Sequence, residues 1–285
     1  MAYKTPAEIT VAGTASGITK AGTSWDRLLV AGFLGGAYIA FASLLAVVAS
    51  AGLNPKTGPI TLVTGGAFSL GLILVVVAGS ELLTGNMALI PLAALQRKVG
   101  LGGLSRNLAV VLVGNLLGSL FVAYVLAVKT GVITTEVNFA RLSAVATAKG
   151  ETETSLQIFL RAMGCNWLVC LAIWMALAAD DIGGKVLAIF FPITAFVALG
   201  FDHVVANMFF LPVAVFANVP GIGWGDVLHN LSLAFVGNFV GATVFVAGAY
   251  WWLYGRDEEE TATRTGGTSD NGVVGAERAS STTGV

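Results

Sequence analysis

An aspartate and a histidine, Asp202 and His203, lie in the middle of an apolar stretch that covers residues 186–216. An imidazole titrates near neutral pH and can donate a hydrogen bond or a proton to an anion. Ionisable side chains are costly at the centre of a bilayer and tend to face a water-filled path. The pair therefore indicates a solute path through a membrane protein, although a neutral histidine that only joins two helices would also fit.

The composition is that of a polytopic membrane protein. Hydrophobic residues make up 56% of the 285 residues, charged residues only 11%, and the mean hydropathy is +0.83. A soluble domain typically needs about 25% charged residues to cover its surface. The net charge of −1 gives no basis for a nucleic-acid partner.

The two cysteines, Cys165 and Cys170, lie five residues apart on one apolar segment. Two sulfur atoms at that spacing complete neither a zinc site nor a disulfide, so both are interpreted as packing residues. The two histidines have no ligand-spaced carboxylates, and no nucleophile is paired with a base. We therefore expect no metal, no cofactor and no enzymatic activity.

Six segments approach the roughly 20 apolar residues that cross hydrocarbon. They are residues 28–53, 60–95, 107–128, 157–179, 186–216 and 230–254. The second and fifth are too long and too polar at their centres to be continuous helices, so we expect interruptions at Gly79–Asn86 and Gly200–Asn207. The predicted fold is an all-α membrane protein with six transmembrane helices, of which helices 2 and 5 are broken at mid-membrane.

The two interruptions resemble each other. GSELLTGN (79–86) and GFDHVVAN (200–207) are 121 residues apart, and GNLLG (114–118) and GNFVG (237–241) are 123 residues apart. Three spans in each half would make the second half enter from the opposite side, as in inverted-repeat channels and transporters. This predicts repeats at about 28–128 and 157–254, unless the likeness is chance similarity between glycine-rich segments.

The distribution of positive charge predicts the orientation. Ten of the 15 lysine and arginine residues fall on the side of the predicted spans that also holds both termini. Positive residues accumulate on the cytoplasmic side, so both termini are predicted to be cytoplasmic in a multi-pass protein of the cell (inner or plasma) membrane. The predicted layout is a cytoplasmic segment 1–27, a channel domain 28–255 and a disordered tail 256–285.

Six motifs resemble those of the formate/nitrite transporter family, in the order of that family. They are GGAYIAFA (35–42), GSELLTGN (79–86), GNLLGS (114–119), NWLVCLAIWMA (166–176), FDHVVANMFFLP (201–212) and VGNFVGA (236–242). The resemblance covers nearly all of residues 25–255. It implies an aquaporin-like protomer with its own pore, assembly as a homopentamer in the bilayer, and small monovalent anions as substrates.

The resemblance also implies roles for single residues. It places His203 at the pore centre beside Thr84, and Asn166 as a further substrate contact. Lys149 would be a vestibule cation that attracts anions, although a solvated loop lysine fits equally well. Two apolar constrictions would exclude hydrated ions by dewetting, although ordinary helix packing would also explain their residues, which are Phe68, Leu72, Leu82, Leu83 and Phe196.

Four polar residues are expected to anchor the helix breaks. Neighbouring residues on a helix point about 100° apart, so Asp202 would face away from the pore when His203 faces it. Asp202 and its counterpart Glu81 are expected to accept backbone N–H groups at the breaks. Asn86 and Asn207 are expected to hold the broken segments together, because buried amides need partners.

The predicted function is a channel or transporter for small monovalent anions, formate or nitrite, moved passively or together with a proton. Both anions are conjugate bases of weak acids, and a protonated acid passes an apolar barrier as a neutral species. Hydrosulfide, bicarbonate and lactate are alternative substrates. An aquaporin-type channel for neutral solutes is a further alternative, although the breaks contain Glu–Thr and Asp–His where that family places Asn-Pro-Ala.

Overall fold

The computed structural model describes residues 3–55 and 57–256, and the elements in this part of the chain are helices. Five of them are long and apolar enough to cross a membrane, and three shorter apolar helices accompany these five. In chain order the helices are α1 (Pro6–Gly22), α2 (Trp25–Ser50), α3 (Gly58–Gly79), α4 (Leu83–Leu95), α5 (Leu101–Val128), α6 (Glu136–Thr147), α7 (Ser155–Ala178), α8 (Ile182–Ala198), α9 (Val204–Phe216) and α10 (Trp224–Gly255).

Two of the predicted long segments are interrupted. Helix α3 ends at Gly79 and α4 begins at Leu83, while α8 ends at Ala198 and α9 begins at Val204. Gly79 has a φ of 81° and Gly200 a φ of 71°. This left-handed backbone conformation costs glycine little and strains other residues, so each glycine turns the chain out of the first half-helix.

The predicted interruptions, Gly79–Asn86 and Gly200–Asn207, are too long, because their second halves already belong to α4 and α9. A buried helix can begin this early only if its first N–H groups find acceptors. Two buried asparagines provide them. Oδ1 of Asn115 accepts from the first N–H of α4 at 2.9 Å, and Oδ1 of Asn238 accepts from the first N–H of α9 at 2.8 Å.

The half-helices α4 and α9 lie inside the bundle. Every residue of 83–93 in α4 and of 204–214 in α9 is buried. Both sequences are apolar on all sides, as expected for helices that are surrounded by protein. The two half-helices therefore bring their N-terminal turns, with Thr84 and His203, to the centre of the molecule.

The Gly-Asn-x-x-Gly motifs allow neighbouring helices to approach backbone to backbone. A Cβ atom at Gly118 would lie 2.0 Å from the carbonyl oxygen of Phe33, and one at Gly241 would lie 2.1 Å from that of Met163. Small residues at such contacts are typical of helix packing in membranes. The close contacts join α2 to α5 and α7 to α10, and thereby position the two asparagines that cap the half-helices.

The ends of the chain were predicted in less detail than the spans. The polar segment 1–27 contains helix α1, which packs on α4 so closely that a Cβ atom at Gly17 would lie 2.0 Å from the carbonyl oxygen of Leu89. Helix α6 and the π-helical turn Ala148–Thr152 were likewise not predicted. The predicted disordered tail lies outside the described residues beyond Arg256.

Candidate pore

Two separate cavities reach towards the helix breaks. The first has a volume of about 250 Å³ and is lined by residues that include Lys149, Phe196 and His203; we call it the Lys149 mouth. The second has a volume of about 510 Å³ and is lined by residues that include Lys20 and Leu82; we call it the Lys20 mouth. The two linings share no described residue, so the two mouths are separate cavities with protein between them.

An aromatic cluster forms the floor of the Lys149 mouth. The rings of Phe68 and Phe196 have centroids 5.7 Å apart in an edge-to-face arrangement, and the ring of His203 lies 5.9 Å from that of Phe196 and 6.5 Å from that of Phe68. All three side chains are buried. The structure thus brings two predicted constriction residues together against the predicted pore histidine.

Leu82 is the predicted constriction residue at the other end. Leu82 lines the Lys20 mouth and is 2% exposed, so it forms part of the floor there. Leu72 and Leu83 are buried as well, but neither belongs to the lining of the two mouths. Of the five predicted constriction residues, three therefore border a cavity and two lie in the surrounding core.

Hydrogen bonds determine the tautomer of His203. The residue caps α9, and its Nδ1 accepts from the N–H of Ala206 at 3.1 Å, so Nδ1 carries no proton. In a neutral imidazole the proton is then on Nε2. Nε2 lies 2.8 Å from Oγ1 of Thr84, to which it donates. A second proton on the ring would displace the bond that caps α9, so the arrangement favours the neutral donor.

Thr84 lies in the first turn of α4, where its hydroxyl oxygen accepts from His203 and its own proton can be donated to another acceptor. Asn166 donates from Nδ2 to the carbonyl oxygens of Thr84, at 3.2 Å, and Asn238, at 2.8 Å. Asn166 lines neither mouth. The structure therefore joins Asn166 to the pore centre through the backbone of Thr84.

A closed ring of polar groups supports the break beside the Lys149 mouth. Nζ of Lys149 donates to Oδ1 of Asp202 at 2.7 Å, and Nδ2 of Asn207 donates to the same oxygen at 2.8 Å. Asn207 also donates to Oδ1 of Asn230 at 2.7 Å. Asn230 completes the ring by donating to the carbonyl oxygen of Lys149 at 3.1 Å.

The same ring recurs at the other break with different residues. Lys20 donates to Oε1 of Glu81 at 2.8 Å, and Asn86 donates to Oε2 of Glu81 at 2.7 Å. Asn86 also donates to Oδ1 of Asn107 at 2.8 Å, and Asn107 donates to the carbonyl oxygen of Lys20 at 2.9 Å. Each break is thus held by one lysine, one carboxylate and two asparagines.

The expectation that Glu81 and Asp202 accept backbone N–H groups is wrong. Both carboxylates precede the half-helices and accept from lysine and asparagine side chains, because the fold brings Lys20 to Glu81 and Lys149 to Asp202. Asn115 and Asn238 take the backbone N–H groups instead. Their Nδ2 atoms also donate to the carbonyl oxygens of Glu81 and Asp202, at 2.9 Å each, which links every cap to its break.

Several residues of this framework were missed. Asn107 and Asn230 are 123 residues apart, the same offset as the Gly-Asn-x-x-Gly motifs, so the repeat could have revealed them. Lys20 lies 61 residues before Glu81, and no sequence motif links the two. Glu153 and Arg161, which form an ion pair in the lining of the Lys149 mouth, likewise belong to no motif.

Comparison with known proteins identifies the family. The family model described as "Formate/nitrite transporter" matches residues 7–252 of the chain. The chain belongs to the formate/nitrite transporter family. This confirms the resemblance that the six motifs indicated. A protein described as a probable formate transporter of Methanothermobacter thermautotrophicus is 45% identical to this family member over 269 residues, which cover 88% of this chain and 97% of that protein.

Solved structures of the formate/nitrite transporter family have the same fold. One described as an "FNT family ion channel" has a TM-score of 0.81 at 32% identity, covering 86% of this chain and 98% of that one. One described as a "Pentameric formate channel with formate bound" has a TM-score of 0.72 at 30% identity, covering 81% and 97%. The chain is therefore a multi-pass membrane protein of a family of transporters and channels.

Proposed function

We propose that the protein conducts small monovalent anions, formate or nitrite, and that His203 assists their proton-linked passage through the apolar constriction. The observation that carries the proposal is the hydrogen bond from Nε2–H of His203 to Thr84. This bond lies between the apolar floors of the Lys149 mouth and the Lys20 mouth. The similarity to a probable formate transporter and to a pentameric formate channel favours formate.

The charges of the two mouths support an anion as the solute. Each mouth contains a lysine whose side chain is largely buried, so its field is screened less by salt than that of a surface lysine. The Lys149 mouth also contains Arg141, whose guanidinium donates to the hydroxyl groups of Ser50 and Thr64. Cations inside a concave mouth raise the local concentration of anions.

The apolar floors explain why the passage is linked to a proton. A carboxylate loses its hydration between Phe68, Phe196 and Leu82, whereas the neutral acid loses much less. In the proposed step, one oxygen of the anion gains a proton from water in a mouth and crosses as an O–H group. It releases that proton to water in the opposite mouth. The hydroxyl of Thr84, polarised by His203, replaces a hydrogen bond that water supplied.

His203 acts in this step as a hydrogen-bond donor. Its Nδ1 already accepts from the N–H of Ala206, so the ring has no free site for an additional proton while α9 stays capped. Removing the proton from Nε2 would leave an imidazolate at a buried position, which is costly. The proton that accompanies the anion therefore comes from the aqueous mouths.

The same proposal includes topology and assembly. The chain 28–255 crosses the cell membrane six times as two inverted three-span halves, with α3–α4 and α8–α9 as broken spans and an aquaporin-like path between them. The recurrence of the Lys–carboxylate–Asn–Asn ring at both breaks supports the two halves. The excess of positive residues supports cytoplasmic termini. The pentameric formate channel among the relatives supports a homopentamer.

The test is anion uptake into proteoliposomes from about pH 5 to about pH 8, a range that spans the ionisation of histidine. Purified wild-type protein is compared with His203→Asn, which can accept from Ala206 and donate to Thr84, and with His203→Leu, which can do neither. We expect wild-type uptake that increases as the pH falls. His203→Asn should keep this trend, and His203→Leu should lose uptake by about 10- to 100-fold, the cost of one buried hydrogen bond.

The possible outcomes separate the alternatives. Loss of the pH trend in His203→Asn would make the imidazole itself the proton donor. Uptake of water or glycerol without any anion would replace the proposal with a channel for neutral solutes. The relative rates for formate, nitrite, hydrosulfide, bicarbonate and lactate identify the substrate.

A further inference from the structure

A pair of carboxyl groups lies at the Lys149 mouth, where Glu153 belongs to the lining, whereas Glu81 is the one acid among the described residues that line the Lys20 mouth. Glu153 precedes α7, and its carboxyl group lies within hydrogen-bonding reach of that of Asp202. The side chain of Glu153 is 6% exposed and that of Asp202 is 0% exposed. Two buried carboxyl groups in contact cannot both be ionised without strong repulsion, so one of them tends to keep a proton.

One oxygen of each group has no donor. Oδ1 of Asp202 accepts from Lys149 and Asn207, and Oε1 of Glu153 accepts from Arg161. Oδ2 of Asp202 and Oε2 of Glu153 are buried and accept from no group in the part of the chain that the structure describes. Buried polar atoms in native proteins almost always have a partner. A single proton between these two oxygens satisfies both.

The Lys20 mouth shows the arrangement that needs no proton. Oε1 of Glu81 accepts from Lys20 and Oε2 accepts from Asn86, so both oxygens of this carboxylate have donors. The two mouths share the same polar ring. The unpaired carboxyl oxygens beside the Lys149 mouth therefore accompany Glu153, the additional acid.

The surrounding charges determine what a proton would change. The titratable and charged groups around the pair, taken from the elements that pack against it, are Lys149, Arg161, Cys165, Arg141, His203 and Asp226. Lys149 and Arg161 form ion pairs with the two acids. These two cations balance the two acids when both are ionised, and they leave the cluster with one net positive charge when a proton is bound.

We propose that Glu153 and Asp202 share one proton and form a proton-binding site that sets the charge of the Lys149 mouth. The ligand is the proton itself. Its binding adds one positive charge at the entrance, which increases anion entry, and its loss decreases anion entry. The proton-binding site is supported by the contact between two buried carboxyl groups and by their two unpaired oxygens. The effect of the proton on anion entry rests, in addition, on the proposed function.

The environment of Glu153 places the titration in the neutral range. Burial, and then the hydrogen bond to Asp202, raise the pKa of Glu153 to about 7. A group with this pKa is roughly nine-tenths protonated at about pH 6 and roughly one-tenth protonated at about pH 8. A change of about two pH units at this mouth therefore switches the proposed site.

Infrared difference spectroscopy of the purified wild-type protein tests the site without any transport. We expect a carbonyl band of a protonated carboxylic acid that disappears with a midpoint near pH 7. Glu153→Gln should lose this band, because the glutamine amide takes the place of the proton and donates to Asp202. Glu136→Gln, a charge-matched change at the exposed start of α6, should keep it.

Two results would overturn the proposal. The first is a wild-type spectrum without such a band, a result that does not depend on the folding of any variant. The second is a band that persists unchanged in a folded Glu153→Gln protein.

Anion uptake then tests the effect on entry. Glu153→Gln mimics the protonated pair, so its uptake should equal that of the wild type at about pH 6 and exceed it by about threefold to tenfold at about pH 8, as expected for removing one nearby negative charge. An unchanged ratio at both pH values would overturn the effect on entry. Absence of anion uptake in all proteins would overturn the proposed function, while the infrared result would still decide the proton site.

Discussion

The two mouths use the same framework and differ in the residues that can do chemistry. At each break, a lysine, a carboxylate and two asparagines form one ring, and a further asparagine caps the half-helix. Leu82 follows Glu81 just as His203 follows Asp202. The corresponding position is thus apolar in one half and a hydrogen-bond donor in the other. The framework therefore positions two helix N-termini, and differences at single corresponding residues make the two sides unequal.

The asparagine caps should give the largest effects and should be equivalent. Asn115→Ala and Asn238→Ala each remove one acceptor and two donors at buried positions, so we expect each to lower the free energy of unfolding by about 3–6 kcal/mol. Thermal unfolding in detergent measures the change. Asn138→Ala, which removes only an exposed hydrogen bond, should change little. A large difference between the two caps would show that the framework is not shared.

Replacing the lysine of each mouth should destabilise the protein by different amounts. Lys149 is paired with a fully buried Asp202, whereas Lys20 is paired with Glu81, whose side chain is 15% exposed. Removing one partner of a buried ion pair typically costs about 3–5 kcal/mol, so Lys149→Met should approach this loss. Lys20→Met should lose about 1–3 kcal/mol, since water reaches its partner. The exposed Lys98→Met is the control, and the same unfolding measurement would contradict the ranking if Lys20→Met were the more damaging.

The glycine contacts should again be equal in both halves. Gly118→Ala and Gly241→Ala place a methyl group about 2 Å from a backbone oxygen of the neighbouring helix. Overpacking of this kind costs about 1–3 kcal/mol. At Gly102 a Cβ atom meets nothing within 4 Å, so Gly102→Ala should be neutral or slightly stabilising. Equal stability of all three variants would show that the helices can separate to admit the methyl group.

The smallest expected effect concerns the pH dependence of stability that Glu153 contributes in the Lys149 mouth. The pKa of Glu153 is raised from 4.5 to about 7, chiefly by burial. The folded protein therefore binds this proton more tightly than the unfolded chain, and its stability decreases as the pH rises from about 4.5 to about 7. The full difference in pKa corresponds to roughly 3 kcal/mol, and screening by the water in the mouth reduces the contribution that we expect to about 2 kcal/mol. Unfolding of wild type and Glu153→Gln across that range should diverge, whereas Glu136→Gln should parallel the wild type.

The sequence predicted those features that follow from hydrophobicity and local motifs. Long apolar segments predicted the membrane spans, and polar residues within two of them predicted the breaks. The family resemblance implied that Thr84 is a neighbour of His203, and the structure places Oγ1 of Thr84 2.8 Å from Nε2 of His203. Helix α1 was missed because its place depends on a glycine, Gly17, that fits against the backbone of α4.

Contacts between side chains that are distant in the chain could not be predicted from the sequence. Glu153 is an unremarkable acid in the sequence, and only the fold brings it to Asp202, which another element carries. Glu81 and Asp202 were predicted to accept hydrogen bonds at the breaks, and they do, but from lysine and asparagine side chains and not from backbone N–H groups. No local pattern shows which lysine will reach a buried carboxylate. The repeat offset was the one signal that could have gone further, since it relates Asn107 to Asn230.

The contact between Thr84 and His203 also bears on how the protein is made. The two residues are 119 positions apart in the chain, and Asn166, which supports the backbone of Thr84, comes 82 positions after it. A ribosome therefore delivers the first half to the membrane long before the donor that completes its centre has been synthesised. The first half is thus inserted with Leu82 in place and without His203, so the contact that joins the two breaks forms only after the second half has been synthesised.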